Sequence, residues 1–132
     1  MPLAGDFFHH QKQIMSRIKK CPASPNCVCT LPTETEAKRM SPLEFGDSAA
    51  AAKSRLKRML DGMSRVRLSE ENGNYLRYTF KTLIGGFIDD VEFEIDEKYK
   101  KIDFRSASRK GYSDMGANKR RMKKIIAQWK RT

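Results

Sequence analysis

The sequence predicts an α+β fold. It has a curved antiparallel sheet of about five strands with two helices packed on one face, in the order β-α-β4-α, plus a short N-terminal helix. Three observations predict it. Residues 49–63 repeat apolar side chains at spacings of three and four. Residues 66–108 switch to period two with short connections, as an antiparallel meander requires. Residues 115–130 then return to the helical period.

In chain order, Asp6 can cap a first helix whose stripe is Phe7, Phe8, Ile14, Met15 and Ile18. Residues 1–20 are read as a helical extension and 21–132 as a single α+β domain. Cys21 to Pro42 carries four prolines and reads as irregular. "RMSPLEF" predicts a short strand, which Pro42 confines to an edge or a strand end. Asp47 or Ser48 caps the next helix, with Ala49, Ala52, Leu56, Met59, Leu60 and Met63 as its apolar stripe. Val66 and Leu68 alternate with polar neighbours, and Asn72-Gly73 signals a hairpin turn. Leu76, Tyr78 and Phe80 share one face of the following strand, and Gly85-Gly86 marks a bulge or bend. Phe87, Val91, Phe93 and Ile95 are expected to face inward, as are Ile102 and Phe104 after them. The last helix is expected from about Met115 to about Lys130.

The 132-residue chain carries a net charge of +11, unevenly spread. Residues 70–96 hold 2 basic and 7 acidic groups, whereas residues 97–132 hold 13 basic and 3 acidic. Such a surface suits nucleic acid, anionic lipid or an acidic protein, and it also serves as plain solvated charge. No apolar run approaches the ~18–20 residues that span a bilayer. With no leader pattern visible, the chain as written is expected to be cytoplasmic.

Strand parity places a polar site. Asp89 interrupts the apolar row of Phe87, Val91, Phe93 and Ile95, and the facing row passes from Ile102 and Phe104 to Ser106 and Ser108. A hairpin turning over residues 96–101 sets Phe93 against Phe104, Val91 against Ser106 and Asp89 against Ser108. In the last helix the inner stripe is Met115, Asn118, Met122, Ile125, Ile126 and Trp129, so Asn118 is polar where apolar is expected. These polar residues should converge beneath the start of that helix, closed over by the loop from Arg109 to Asp114. A buried carboxylate needs a partner, and Arg105, Arg109 and Arg121 are available. Two readings are open. One is a structural lock. The other is a pocket for a small polar or anionic ligand, built from Asp89, Arg105, Ser106, Ser108, Arg109, Tyr112, Asp114 and Asn118, with Arg105 and Arg109 receiving the anion.

The chain is accordingly expected to be a non-enzymatic binding or accessory domain with no cofactor. The alternative is nonspecific binding of nucleic acid or an acidic partner by the outer face of the last helix, through Arg120, Lys123, Lys124 and Arg131. No aromatic residue is interleaved there for base stacking. His9 and His10 are adjacent and point about 100° apart on a helix, which is poor geometry for one metal. Cys21, Cys27 and Cys29 lack a second Cys/His pair at zinc spacing, so no metal site is expected. No motif supports a Cys–His catalytic pair. A Cys21–Cys27 disulfide suits an oxidising compartment, and free thiols suit a reducing one.

Three segments, "CPASPNCV" (21–28), "DDVEFEID" (89–96) and "RSASRKGYSDMGANKRRM" (105–122), resemble the bacterial and plastid family called domain of unknown function 1499. The resemblance covers about residues 20–126. It implies a small α+β domain, often exported or membrane-anchored, and so allows an extracytoplasmic setting. It supplies no activity, cofactor or catalytic residue. Cys29 stands where the family commonly shows serine. The element order also resembles the TATA-binding-protein-like arrangement, an analogy of fold that does not carry function.

Overall fold

The computed structural model describes residues 16–111 and 113–132. Its elements are β1 (Cys27–Cys29), β2 (Leu43–Glu44), α1 (Ala49–Asp61), β3 (Val66–Asn72), β4 (Tyr75–Lys81), β5 (Ile88–Asp96), β6 (Lys101–Ser108) and α2 (Ala117–Trp129). The strands form one antiparallel sheet in the order β1-β6-β5-β4-β3, and β2 also pairs with β6. β1 is the strand that the proline-rich stretch conceals. Three residues are too few for a period, and its partners Arg105, Ser106 and Ala107 lie far along the chain. The expected N-terminal helix falls largely on residues 1–15, outside the described residues, and residues 16–20 are not helical.

Ser48 caps α1 by accepting a hydrogen bond from the Ala51 amide at 3.1 Å. Leu56 and Leu60 of α1 and Met122 and Ile125 of α2 are fully buried with Leu76, Tyr78, Val91, Phe93, Ile102 and Phe104 of the sheet. The two helices thus cover the face that strand parity marks as apolar. Each large side chain buried there stabilises the fold by roughly 1.5–3 kcal/mol. The β5–β6 register sets Asp89 opposite Ser108, Val91 opposite Ser106 and Phe93 opposite Phe104, as the row pattern implies.

Two residues leave their expected places. Phe87 is 59% exposed, because β5 begins only at Ile88 and the chain before it turns through Gly85 and Gly86 at positive φ. Alternation holds along a strand and not around a turn. Met115 is 85% exposed, since α2 starts at Ala117 and Met115 itself has φ 54°.

The opposite face of the sheet carries a second, smaller core of Ile18, Cys21, Cys27 and Cys29, with Leu31 and Ala107 against it. In β1, Val28 points to the main core while its neighbours Cys27 and Cys29 point here. Residues 16–21 therefore cross the outer face as a strap, and a Cys21–Cys27 disulfide ties the strap to β1. Cys29 stays a free, buried thiol, and burial pushes its pKa up. The double variant Cys21→Ser/Cys27→Ser is expected to lose about 2 kcal/mol, the chain-entropy value for so short a loop. Urea unfolding against the oxidised parent measures this, and an unchanged midpoint would contradict it.

Candidate functional site

At the end of the sheet where β5 begins and β6 stops, the apolar row gives way to a buried polar cluster. Asp89 is 2% exposed, and Ser106 and Asn118 are fully buried. Arg121, one turn beyond Asn118, donates to Asp89 Oδ2 at 2.6 Å and to Asn118 Oδ1 at 2.8 Å, and also reaches Ser106 Oγ at 3.2 Å. Ser106 Oγ donates to Asn118 Oδ1 at 2.6 Å. The Asn118 side-chain Nδ2 donates to Asp114 Oδ2 at 2.7 Å, Ser108 Oγ at 2.9 Å and the Asn26 carbonyl at 3.1 Å. With two hydrogens for three acceptors, one of these bonds is shared. Asp114 also accepts from the Gly116 and Asn118 amides at 2.8 and 2.9 Å. It thus satisfies first-turn donors that the cap residue Gly116, lacking a side chain, cannot. Burial pushes the Asp114 carboxyl up, but these hydrogen bonds outweigh it and hold its pKa below the ordinary value.

Asn26 is the member that sequence reasoning missed. Its carbonyl also accepts from the Ser108 amide at 3.0 Å, and its side chain donates to the Gly111 carbonyl at 2.6 Å. Asn26 therefore pins the loop after β6 to the chain just before β1. The asparagine in "CPASPNC" is plain in the sequence, but Ser108, Gly111 and Asn118 lie more than 80 residues away, and no local pattern announces them.

The structure does not bring Arg105 and Arg109 to this cluster. Arg105 lies between the inward residues Phe104 and Ser106, so its side chain emerges on the opposite face of the sheet. There its Nε donates to Glu92 Oε1 at 2.9 Å, a second guanidinium nitrogen bonds the same oxygen, and the third donates to the Lys19 carbonyl at 3.2 Å. The buried Tyr75 hydroxyl donates to Glu92 Oε2 at 2.7 Å, and the Arg17 guanidinium stacks 3.8 Å from the Tyr75 ring centroid. Burial, reinforced by the bond to Glu92, raises the Tyr75 pKa. Tyr75 and Glu92 carry no sequence signal beyond being on the outward row. Arg109 makes a two-pronged bond to Asp90 at 2.8 and 2.9 Å. Each arginine expected to receive an anion thus already holds its own carboxylate. Tyr112 lies outside the described residues.

The inner cluster satisfies itself. Among the described residues the one buried side-chain polar atom without a partner is Arg55 Nε, on α1. Two clefts, of about 460 and 750 Å³, lie elsewhere. One is bordered by Leu43, Phe45 and Trp129, the other by Arg17, Tyr75 and Tyr99. No group of three or more His, Cys, Asp or Glu among the described residues is placed to hold a metal.

The outer face of α2 is the converse case. Lys119, Arg120, Lys123 and Lys124 on the helix and Arg131 just after it are exposed, and α2 contains no carboxylate. Arg120 turns back to donate to the Met115 carbonyl at 2.6 Å. Lys119, Lys123, Lys124 and Arg131 take part in none of the ion pairs among the described residues, whereas Asp47, Glu70, Glu71, Asp89, Asp90 and Glu92 are each matched to a cation. The helix therefore carries a row of exposed cations with no carboxylate of its own to offset them.

These features define a small basic α+β domain with an open antiparallel sheet, two helices on one face and a disulfide-tied strap on the other. The family model described as protein of unknown function (DUF1499) matches residues 17–129, and the chain belongs to that family. No curated protein and no solved structure gives a significant match. No helix among the described residues is long and apolar enough to cross a membrane.

Proposed function

We propose that this chain is a non-enzymatic accessory domain that docks an anionic surface through the outer face of α2. The observation that carries this reading is the exposed set Lys119, Lys123, Lys124 and Arg131, which has no carboxylate partner among the described residues. In this reading the Asp89–Arg121–Asn118 cluster is the lock that fixes α2 against the sheet and holds its basic face outward. A ligand entering the cluster would have to displace bonds that are already made, which disfavours the pocket alternative.

Attraction of this kind is electrostatic, and it reads charge density rather than base sequence. A labelled DNA duplex serves as a polyanion probe. Binding is expected at low salt, with the logarithm of affinity falling linearly against the logarithm of salt concentration. Lys123→Glu/Lys124→Glu is expected to weaken it by about tenfold or more, since each contributes a phosphate contact and reversal adds repulsion. Absence of binding at low salt, or an unchanged affinity in the reversed variant, would remove the reading.

A further inference from the structure

The β4–β5 turn presents three large apolar side chains to solvent. Leu83 is 75% exposed, Ile84 86% and Phe87 59%. The main core accounts for the apolar residues on either side of them in the sheet, so this display is not a by-product of strand alternation. Nor is the turn loosely built. The Thr82 amide donates to the Phe87 carbonyl at 2.8 Å, the Phe87 amide donates to Thr82 Oγ1 at 2.9 Å, and that hydroxyl donates to the Ile84 carbonyl at 2.9 Å. Gly85 and Gly86 adopt φ of 86° and 63°, and a Cβ on Gly85 would come within 2.5 Å of the Phe87 ring. The glycines therefore let the Phe87 ring fold beside the turn while Leu83 and Ile84 project. Large apolar side chains grouped in solvent on one ordered turn are a feature of contact sites in folded proteins.

The surroundings state what kind of contact. The sheet register brings Lys81, Arg65 and Lys110 to the same end. Lys81 pairs with Ile88, the Lys81 amide donates to the Arg65 carbonyl at 2.9 Å, and the Arg109 amide next to Lys110 donates to the Ile88 carbonyl at 3.2 Å. Arg65, Lys81 and Lys110 are exposed and take part in none of the ion pairs among the described residues. Of the carboxylates at this end, Asp89 is held by Arg121 and Asp90 by Arg109, and Asp114 accepts hydrogen bonds from Gly116 and Asn118. The first turn of α2, with exposed Lys119 and Arg120, starts at this end as well. An apolar tip rimmed by free cations matches the boundary of an anionic bilayer, where acyl chains take the tip and headgroups take the rim.

We infer that the anionic surface is a phospholipid bilayer, and that the domain inserts Leu83, Ile84 and Phe87 into it while Arg65, Lys81 and Lys110 meet the headgroups. The electrostatic half of this inference rests on the docking reading above, and the apolar half rests on the tip alone.

The test uses the full chain with vesicles of phosphatidylcholine alone and with about a third phosphatidylserine, a fraction chosen to give a strongly negative surface. Cosedimentation is expected with the anionic vesicles and not with the neutral ones. Leu83→Ser/Ile84→Ser is expected to reduce it about tenfold or more, while keeping the melting temperature and the affinity for DNA. Ile84→Trp is expected to show a blue-shifted emission on adding anionic vesicles. If Leu83→Ser/Ile84→Ser sediments like the parent, or the new tryptophan does not shift, insertion is wrong. If no vesicle is bound, the bilayer is wrong and a protein pocket becomes the occupant of the tip. If Lys123→Glu/Lys124→Glu leaves DNA binding intact while the tip variant still loses vesicles, the docking reading fails and tip insertion stands.

Discussion

Arg121→Ala is expected to lose about 3–5 kcal/mol of stability, the cost of stranding a buried charge by removing its partner. Asp89 is 2% exposed, and among the described residues its cation is Arg121, so the variant leaves a carboxylate in a closed space. The loss extends further, because Arg121 also bonds Asn118 and Ser106 and its guanidinium lies 5.0 Å from the Phe80 ring centroid. For a domain of this size the melting temperature should fall by on the order of 10–20 °C. Arg109→Ala is the matched control. Its Asp90 pair is 49% and 28% exposed, and such surface pairs are worth at most about 1 kcal/mol. Urea unfolding of the two variants checks the contrast. Equal losses would show that the inner cluster does not lock α2 to the sheet. Asp89→Asn refines the test, since it removes the charge and keeps an acceptor, and it should cost less than Arg121→Ala.

Glu92→Ala is expected to cost about 2–4 kcal/mol, because it strands two hydrogen-bonding groups at once. The buried Tyr75 hydroxyl loses its acceptor, and Arg105 loses its carboxylate. Arg105 also holds the Lys19 carbonyl, so the damage should spread to the strap. Amide exchange in residues 17–21 is expected to accelerate more than in α1, which packs on the other face. A uniform acceleration across both would contradict a local role for Glu92. The disulfide between Cys21 and Cys27 still anchors the far end of the strap, so loosening should be greatest between residues 17 and 20.

The inner half of the polar site is legible in the sequence because it obeys alternation. Asp89, Ser106 and Ser108 are polar in rows that are otherwise apolar, and Asn118 is polar in a helical stripe. Period alone therefore puts four side chains in one place, and the register of β5 with β6 sets Asp89 beside Ser108. The same rule, applied to Arg105, assigns it to the other face, and the expectation that it serves the Asp89 end gives way to that geometry. Arg121 is one of three arginines that the sequence offers to Asp89. Parity excludes Arg105 and leaves the choice between Arg109 and Arg121 to the path of the loop before α2.

What alternation cannot supply is a partner across the fold. Asn26 meets Asn118 and Gly111, and Tyr75 meets Glu92, through bonds between chain segments with no shared local pattern. β1 is hidden for the same reason, since three residues among prolines become a strand only when β6 offers its edge. Phe87 and Met115 show the reverse failure, in which a period is extended past the end of its element.

Short-range pattern suffices for the α+β class, the apolar face of the sheet, the β5–β6 register, the polar end of the inner rows and the basic outer face of α2. All of these follow from periods and charges within short stretches of chain. It does not suffice to show that Arg121 holds Asp89, or that Arg105 and Arg109 are taken by Glu92 and Asp90. Nor does it show that a strap crosses the outer face, or that the β4–β5 turn carries its apolar residues into solvent. Those outcomes depend on which distant groups come within bonding distance. That is a property of the closed fold, and no local period encodes it.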